Sequence, residues 1–246
     1  MIYSAAWYLG AAMFAGLWAI LWGIYGDLLA ERFEARKALR SILFACLYAV
    51  AIFLRQGNYN LLLVGLGVIA LERLATEIWK GLIREEDQSK YKIPSGLFRG
   101  VHRAVRRVAG WLLLAAAFFA AAYVSFSWGN LYFVFAPGFL VAFGGAFKDA
   151  PFEGFNFKKF LRSPLFGAIA GGLLYLLFPA GDSFMFALAV FGGERVLSET
   201  WKKILLGRVP GKFREEAIDE EWRRRRRRLL LPYALILIGI AVLYFV

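Results

Sequence analysis

The chain contains few of the residues on which many metal and redox sites depend. Its 246 residues include one cysteine, Cys46, and one histidine, His102. A single cysteine cannot form an intramolecular disulfide, and one imidazole cannot supply a haem, di-iron or zinc site built on several histidines. The sequence also has no P-loop, no G-x-S-x-G elbow, no H-E-x-x-H segment and no flavin or nucleotide motif.

Apolar residues dominate what is present. The chain is 60% hydrophobic and 17% aromatic, and its mean hydropathy is +0.57. A transmembrane helix needs about 20 mostly apolar residues, and the sequence predicts eight such spans. We therefore expect an all-α, polytopic membrane protein with spans at about 4–26, 40–56, 59–79, 108–126, 128–147, 164–180, 183–202 and 229–246.

The positive charge of the chain predicts its orientation. The formal net charge is +12, but the basic residues flank apolar segments, where membrane topology explains them better than nucleic-acid binding does. All Lys and Arg residues except Arg55, Arg73 and Arg195 lie in or beside the connections after the first, third, fifth and seventh spans. The sequence thus predicts a cell (inner) membrane protein with cytoplasmic long loops and both termini outside. The basic loops, including the run Arg223 to Arg228, would contact anionic lipid headgroups.

The chain contains an internal repeat at an offset of 122 residues. Residues 26–44 align without a gap with residues 148–166, and nine of the 19 positions are identical. The segment from Glu72 to Lys80 aligns in the same way with Glu194 to Lys202. We interpret residues 1–123 and 124–246 as two parallel four-helix repeats, related by a pseudo-twofold axis along the membrane normal.

Two carboxylates are predicted to lie deep in the membrane. If Lys80 and Lys202 mark the cytoplasmic boundary, Glu72 and Glu194 lie about 12 Å further in. Ionisable residues at that depth face the protein interior and are candidates for function. The adjacent Arg73 and Arg195 are candidate substrate ligands. An alternative is that Glu72 pairs with Arg40 or Arg195 only to hold helices together.

Four carboxylates in the cytoplasmic connections form a second candidate site. Asp27 and Glu31 are four residues apart, as are Asp149 and Glu153, so each pair would share one face of a helix. Carboxylates without His or Cys favour a hard cation such as Mg²⁺, held together with substrate phosphates. Basic residues follow each pair and could bind phosphate: Lys37, Arg40, Lys159 and Arg162. The alternative is an interfacial helix of mixed charge with no ligand.

The segment from Lys148 to Gly154, KDAPFEG, resembles the second acidic motif of the UbiA family of membrane prenyltransferases. The four-helix repeat with one acidic segment in each half is similar to that family's architecture. The resemblance implies a prenyl diphosphate bound through Mg²⁺ by Asp27, Glu31, Asp149 and Glu153.

Polar residues concentrate in the predicted inner half of the membrane, which favours a cavity open to the cytoplasm. We expect the four loop carboxylates to flank it, with Glu72 and Glu194 at its floor. This indicates an enzyme or binder acting on a lipid or isoprenoid phosphate. The alternatives are a channel or carrier with a pore on the pseudo-twofold axis, and an assembly subunit without a ligand.

Overall fold

The computed structural model describes residues 4–28, 33–55, 58–85, 91–92, 101–207, 214 and 218–245, except for the side chains of Asp27 and Glu153. The described chain is all-helical, as the sequence predicts. Its α-helices are α1 (Ala5–Asp27), α2 (Ala35–Leu54), α3 (Leu61–Ile78), α4 (Arg103–Tyr123), α5 (Ala136–Glu153), α6 (Phe157–Leu177), α7 (Ser183–Glu199), α8 (Glu220–Arg225) and α9 (Leu230–Val242). Short 3₁₀ turns at Asn130–Phe133 and Arg226–Leu229 precede α5 and α9.

Each predicted span corresponds to a helix, with α8 as an addition. Five helical segments are long and apolar enough to cross a membrane: Ala5–Gly26, Ala35–Leu54, Arg103–Tyr123, Asn130–Phe152 and Phe157–Leu177. The other three are α3, with three charged residues among its 18, and α7 and α9, which have 17 and 13 residues. The coarse prediction of several apolar, membrane-length helices is therefore confirmed.

Helices α2 and α6 begin earlier than predicted, because a polar first turn precedes each apolar segment. Asn156 caps α6 by accepting a hydrogen bond from the Lys159 amide at 2.9 Å. Pro151 lies inside α5, which continues to Glu153 and is capped by Gly154. Little helix follows Pro151, so the hydrogen bond that proline removes is lost only in the last turn. Gly154 ends the helix with φ of 76°, a conformation that favours glycine.

The second and third helices of each half begin at positions that follow the sequence offset of 122 residues. Ala35 and Phe157 begin α2 and α6, and Leu61 and Ser183 begin α3 and α7. Both α3 and α7 continue into a π-helical turn, at Trp79–Ile83 and Thr200–Leu205. The fourth helices differ, since α4 packs against α2 and the first π-helical turn, whereas α9 packs mainly against α1 and α3.

Helices α3 and α7 form the central pair of the fold. Most of α3 is buried, and its backbone touches α7 where glycines permit a close approach. A Cβ atom built on Gly192 would overlap the Leu66 carbonyl oxygen, and one on Gly67 would overlap the Met185 methyl group. Helices α1 and α2 pack beside α3, and α5 and α6 pack beside α7.

Candidate functional site

A cavity of about 120 Å³ lies between α1, α2 and α3. Its lining extends from Phe33 and Lys37, at the connection between α1 and α2, down to Trp18 and Glu72. On the α1 side, the lining runs from Trp18 to Leu28, the residue that follows α1. Ten residues of helix span about 15 Å. Arg195 of α7 is the one lining residue from the second half of the chain.

The lining carries an excess of positive charge. Among the described lining residues, two are acidic, Glu34 and Glu72, and six are basic: Lys37, Arg40, Arg73, Lys80, Arg84 and Arg195. Glu34 also pairs with Lys37 at 3.0 Å. Clefts lined mainly by one sign of charge attract counter-ions of the opposite sign. The cavity is therefore suited to an anion, and arginines among its lining residues can bind phosphate or carboxylate oxygens in bidentate fashion.

Glu72 lies at the deep end of this cavity, with 4% of its surface exposed. Its carboxylate accepts a hydrogen bond of 2.8 Å from the Thr76 hydroxyl, one helical turn away, and the buried Ser41 of α2 also lines this region. Among the described residues, Glu72 makes no salt bridge within 4 Å. The alternative, in which Glu72 pairs with Arg40 or Arg195 to hold helices together, is therefore not observed among the described residues.

Glu199 is five residues closer than Glu194 to the predicted membrane boundary at Lys202, yet it is buried and is the centre of a polar network. It accepts a hydrogen bond of 2.8 Å from the indole nitrogen of Trp22 on α1. Its carboxylate pairs with Arg195, with Lys202 at 3.0 Å and with Lys203 at 3.3 Å. This network explains the burial of the carboxylate, since buried charges require partners, and it fixes Arg195 beside the cavity.

Glu77 forms the corresponding network in the first half. It pairs with Arg73 at 2.5 Å and with Lys148 of α5 at 3.2 Å. In the repeat, Lys148 corresponds to Gly26, which has no side chain. The Lys203 side chain lies in the space beside Gly26. Each third helix thus carries an Arg–Glu pair that is completed by a contact with the opposite half.

Glu194, the counterpart of Glu72, does not line the cavity. It is 1% exposed, and the hydroxyls of Ser163 and Ser198 lie within hydrogen-bonding reach of its carboxylate. Trp18 and Trp22, which wall the cavity in the first half, correspond to Leu140 and Gly144. The polar residues are retained in the second half, but the aromatic wall is not.

The loop carboxylates are only partly described. Asp149 pairs with Lys159 at 2.7 Å on the accessible ends of α5 and α6, away from the cavity. Asp27 and Glu153 are the last residues of α1 and α5, and Glu31 lies outside the described residues. In the described part of the chain, no group of three or more His, Cys, Asp or Glu side chains is placed to hold a metal ion.

The predicted basic ligands separate into two groups. Arg40, Lys37, Arg73 and Arg195 line the cavity, and the Arg40 guanidinium lies 5.7 Å from the ring centre of Trp79. Arg162 and Lys159, their counterparts on α6, do not line it. Sequence reasoning missed Lys80 and Arg84 as lining residues, and Trp18 and Trp22 as the wall. The repeat carried a signal for Lys80, which aligns with Lys202.

The arginine run before the last helix is not uniformly exposed. Arg226 is buried, donates a hydrogen bond of 3.1 Å to the Gly207 carbonyl, and lies 4.8 Å from the ring centre of Tyr25. Burial lowers the pKa of the Arg226 guanidinium. The neighbouring arginines 223–225, 227 and 228 are exposed, so one member of the run holds α9 to α1 while the others face outward.

A buried ion pair closes the opposite end of the bundle. Arg55, at the end of α2, pairs with Asp182, which caps α7; their side chains are 3% and 10% exposed. Tyr59 donates a hydrogen bond of 2.7 Å to Asp182, and Arg55 donates one of 3.3 Å to the Ala121 carbonyl of α4. The sequence did not predict this pairing, which joins residues 127 positions apart.

Comparison of the chain with protein-family models, with curated proteins and with solved structures finds no match.

Proposed function

We propose that this chain is an integral membrane protein that binds the phosphate-bearing headgroup of a lipid or isoprenoid in the cavity between α1, α2 and α3. The observation that carries the proposal is the lining of that cavity, in which six described basic side chains accompany the buried carboxylate of Glu72. In this proposal the arginines bind the phosphate oxygens. Glu72 contacts the reacting or neighbouring group of the ligand.

The volume of the cavity supports a headgroup rather than a whole lipid. Pockets for drug-sized ligands measure about 300–1,000 Å³, whereas this cavity measures about 120 Å³. A hydrocarbon tail would therefore lie along the outer faces of the helices. Large apolar side chains are exposed on those faces, among them Leu39 and Leu43 of α2, and these would contact membrane lipid.

The membrane arrangement is part of the same proposal. All eight long helices, including α3, α7 and α9, cross the membrane as two parallel repeats, with both termini outside and the basic loops in the cytoplasm. The asymmetric distribution of Lys and Arg supports this orientation. The cavity mouth, at the connection between α1 and α2, then opens to the cytoplasm.

A divalent cation such as Mg²⁺ would bridge the ligand phosphates to the loop carboxylates, as the resemblance to membrane prenyltransferases implies. Leu28 lines the cavity, and it directly follows Asp27 in the chain. Asp27 and Glu31 are therefore the carboxylates that we assign to this cavity, whereas Asp149 and Glu153 belong to the second half. Transfer of a prenyl or lipid phosphate group is the reaction class proposed.

The alternative function, a channel or carrier with a pore on the axis between the halves, is less well supported. Helices α3 and α7 are the elements nearest that axis, and their backbones touch at Gly192 and Leu66. That contact leaves no space for an ion between the two helices at this level.

Binding of phosphate-bearing lipids to two matched variants tests the proposal. Arg40→Gln removes a cavity arginine, whereas Arg162→Gln removes its counterpart outside the cavity. Native mass spectrometry would titrate each purified protein with a prenyl diphosphate and with a phosphatidic acid, with and without Mg²⁺. A hydrogen bond to a charged group contributes about 1.5–3 kcal/mol, so Arg40→Gln should weaken binding about ten- to a hundredfold, and Arg162→Gln much less.

Equal losses in the two variants, or no binding of either lipid to the wild-type protein, would contradict the proposed site. A flux assay on reconstituted liposomes addresses the alternative function. Ion or solute uptake that Glu72→Gln abolishes would establish transport and refute the enzyme.

A further inference from the structure

Glu194 is the most completely buried acidic side chain in the described part of the chain, and unlike Glu72 it does not line the cavity. It is 1% exposed, and its Oε1 atom is buried without a hydrogen-bond partner. The hydroxyls of Ser163 and Ser198 are its polar neighbours. Within the described ranges, it forms no salt bridge.

The charged groups on the surrounding helices have other partners or lie beyond ion-pair distance. Arg195 and Lys202, which act on Glu194 electrostatically, both bind the Glu199 carboxylate. The helices that pack against α7 also carry charged groups at this end of the bundle: Glu72, Arg73 and Glu77 of α3, Lys148 and Asp149 of α5, and Lys159 and Arg162 of α6. Glu199 and Glu194, five residues apart on one helix, thus differ sharply in their partners.

An ionised carboxylate in this position would lose its hydration without gaining an ion pair. The effective cost of burying one such ion is several kcal/mol, and a buried group in this situation generally neutralises instead. We propose that Glu194 is a proton-binding site, whose carboxyl group is held as the neutral acid with its hydroxyl hydrogen shared with Ser163 or Ser198. Each of these hydroxyls can accept a hydrogen bond as well as donate one.

The proton on Glu194 would be linked to the anion cavity through the adjacent Arg195. Loss of the proton would create a negative charge beside a residue that lines the cavity, and this charge would lower the positive potential there. Anion binding should therefore favour the protonated form of Glu194, and by linkage the protonated form should favour anion binding. The proton site itself does not depend on the proposed function.

Infrared spectroscopy of the purified full-length protein at neutral pH tests the proton site without any ligand. The wild-type protein should show the C=O stretch of a protonated carboxylic acid. Glu194→Gln should remove that band, whereas Glu72→Gln, the equivalent change at the cavity, should leave it. A wild-type spectrum without an acid band overturns the proposal. A cation bound in place of the proton would give that result. A band that persists in Glu194→Gln also overturns the proposal.

Chemical labelling supplies a test that needs no variant and thus no assumption about folding. A hydrophobic carbodiimide reacts with protonated carboxyl groups in apolar surroundings. At neutral pH, peptide mass spectrometry should locate the adduct of the wild-type protein on Glu194, with less on Glu199. Preferential labelling of Glu199, or labelling of neither residue, would contradict the assignment.

Discussion

The ion pair between Arg55 and Asp182 allows a quantitative test of how the ends of α2 and α7 are held together. We consider the substitution Asp182→Asn. Asparagine caps helices as well as aspartate does, and Asn60 caps α3 at the equivalent position of the first half. The substitution therefore retains the cap of α7 on one oxygen. It removes the negative charge and replaces the other oxygen, which accepts from Arg55 and Tyr59, by an amide nitrogen.

The expected loss of stability follows from the burial of the partner. The Arg55 side chain is 3% exposed, so Asp182→Asn leaves a buried guanidinium without its counter-ion. Removal of one partner of a buried pair costs about 3–5 kcal/mol. We expect a loss of about 3 kcal/mol, at the lower end, because the Arg55 guanidinium keeps its hydrogen bonds to the Tyr59 hydroxyl and the Ala121 carbonyl. Asp182→Ala should cost about 1 kcal/mol more, since it also removes the cap.

Unfolding of the purified protein by denaturing detergent, followed by circular dichroism, measures these differences. The double variant Arg55→Met with Asp182→Asn should recover much of the loss, because an apolar side chain then replaces the uncompensated charge. A free energy of unfolding for Asp182→Asn within about 0.5 kcal/mol of the wild-type value would refute this reasoning. A double variant less stable than Asp182→Asn alone would refute the predicted coupling.

Two further predictions concern the packing between the halves. Gly192→Ala should destabilise the protein by about 1–3 kcal/mol or more, because the added methyl group overlaps the backbone of α3. Gly144→Ala, at a glycine with open space around its Cα, should be neutral or slightly stabilising. Equal effects of the two substitutions in a thermal unfolding assay would contradict the close approach of α3 and α7. Trp22→Phe should cost about 1.5–3 kcal/mol by removing the hydrogen bond to the Glu199 carboxylate. The same change at Trp111, which is exposed, should have little effect, and a similar loss at both positions would show that the Glu199 bond is unimportant.

The helices could be predicted from the sequence because each is encoded locally. Apolar runs of membrane length mark most of them, and the polar residues Asn60 and Asp182 cap the third helix of each half. The internal alignment also related the starts of α2 and α6 and of α3 and α7. Local patterns do not encode which helices touch, so they could not predict that α9 packs against α1 and α3.

The candidate site was predicted in its residues but not in its partners. Depth along the helix identified Glu72 and Glu194 as buried, and both are. The same argument placed Glu199 nearer the surface, because distance from the membrane boundary was the only measure of burial available. In the folded chain, Trp22 of α1 covers Glu199. Trp22 and Glu199 are 177 positions apart, so the spacing of residues within either helix does not predict their contact.

The repeat explains why the two deep carboxylates have different surroundings. Charged and hydroxyl residues near Glu72 and Glu194 correspond in register, so each half contains the polar elements of the same site. The difference lies in the first helix of each half, where Trp18 and Trp22 on α1 correspond to Leu140 and Gly144 on α5. The indoles wall a cavity in the first half, whereas Glu194 in the second is enclosed by protein. In the functions that we propose for the two carboxylates, the aromatic wall, rather than the charges, therefore determines that Glu72 meets a ligand and that Glu194 only exchanges a proton.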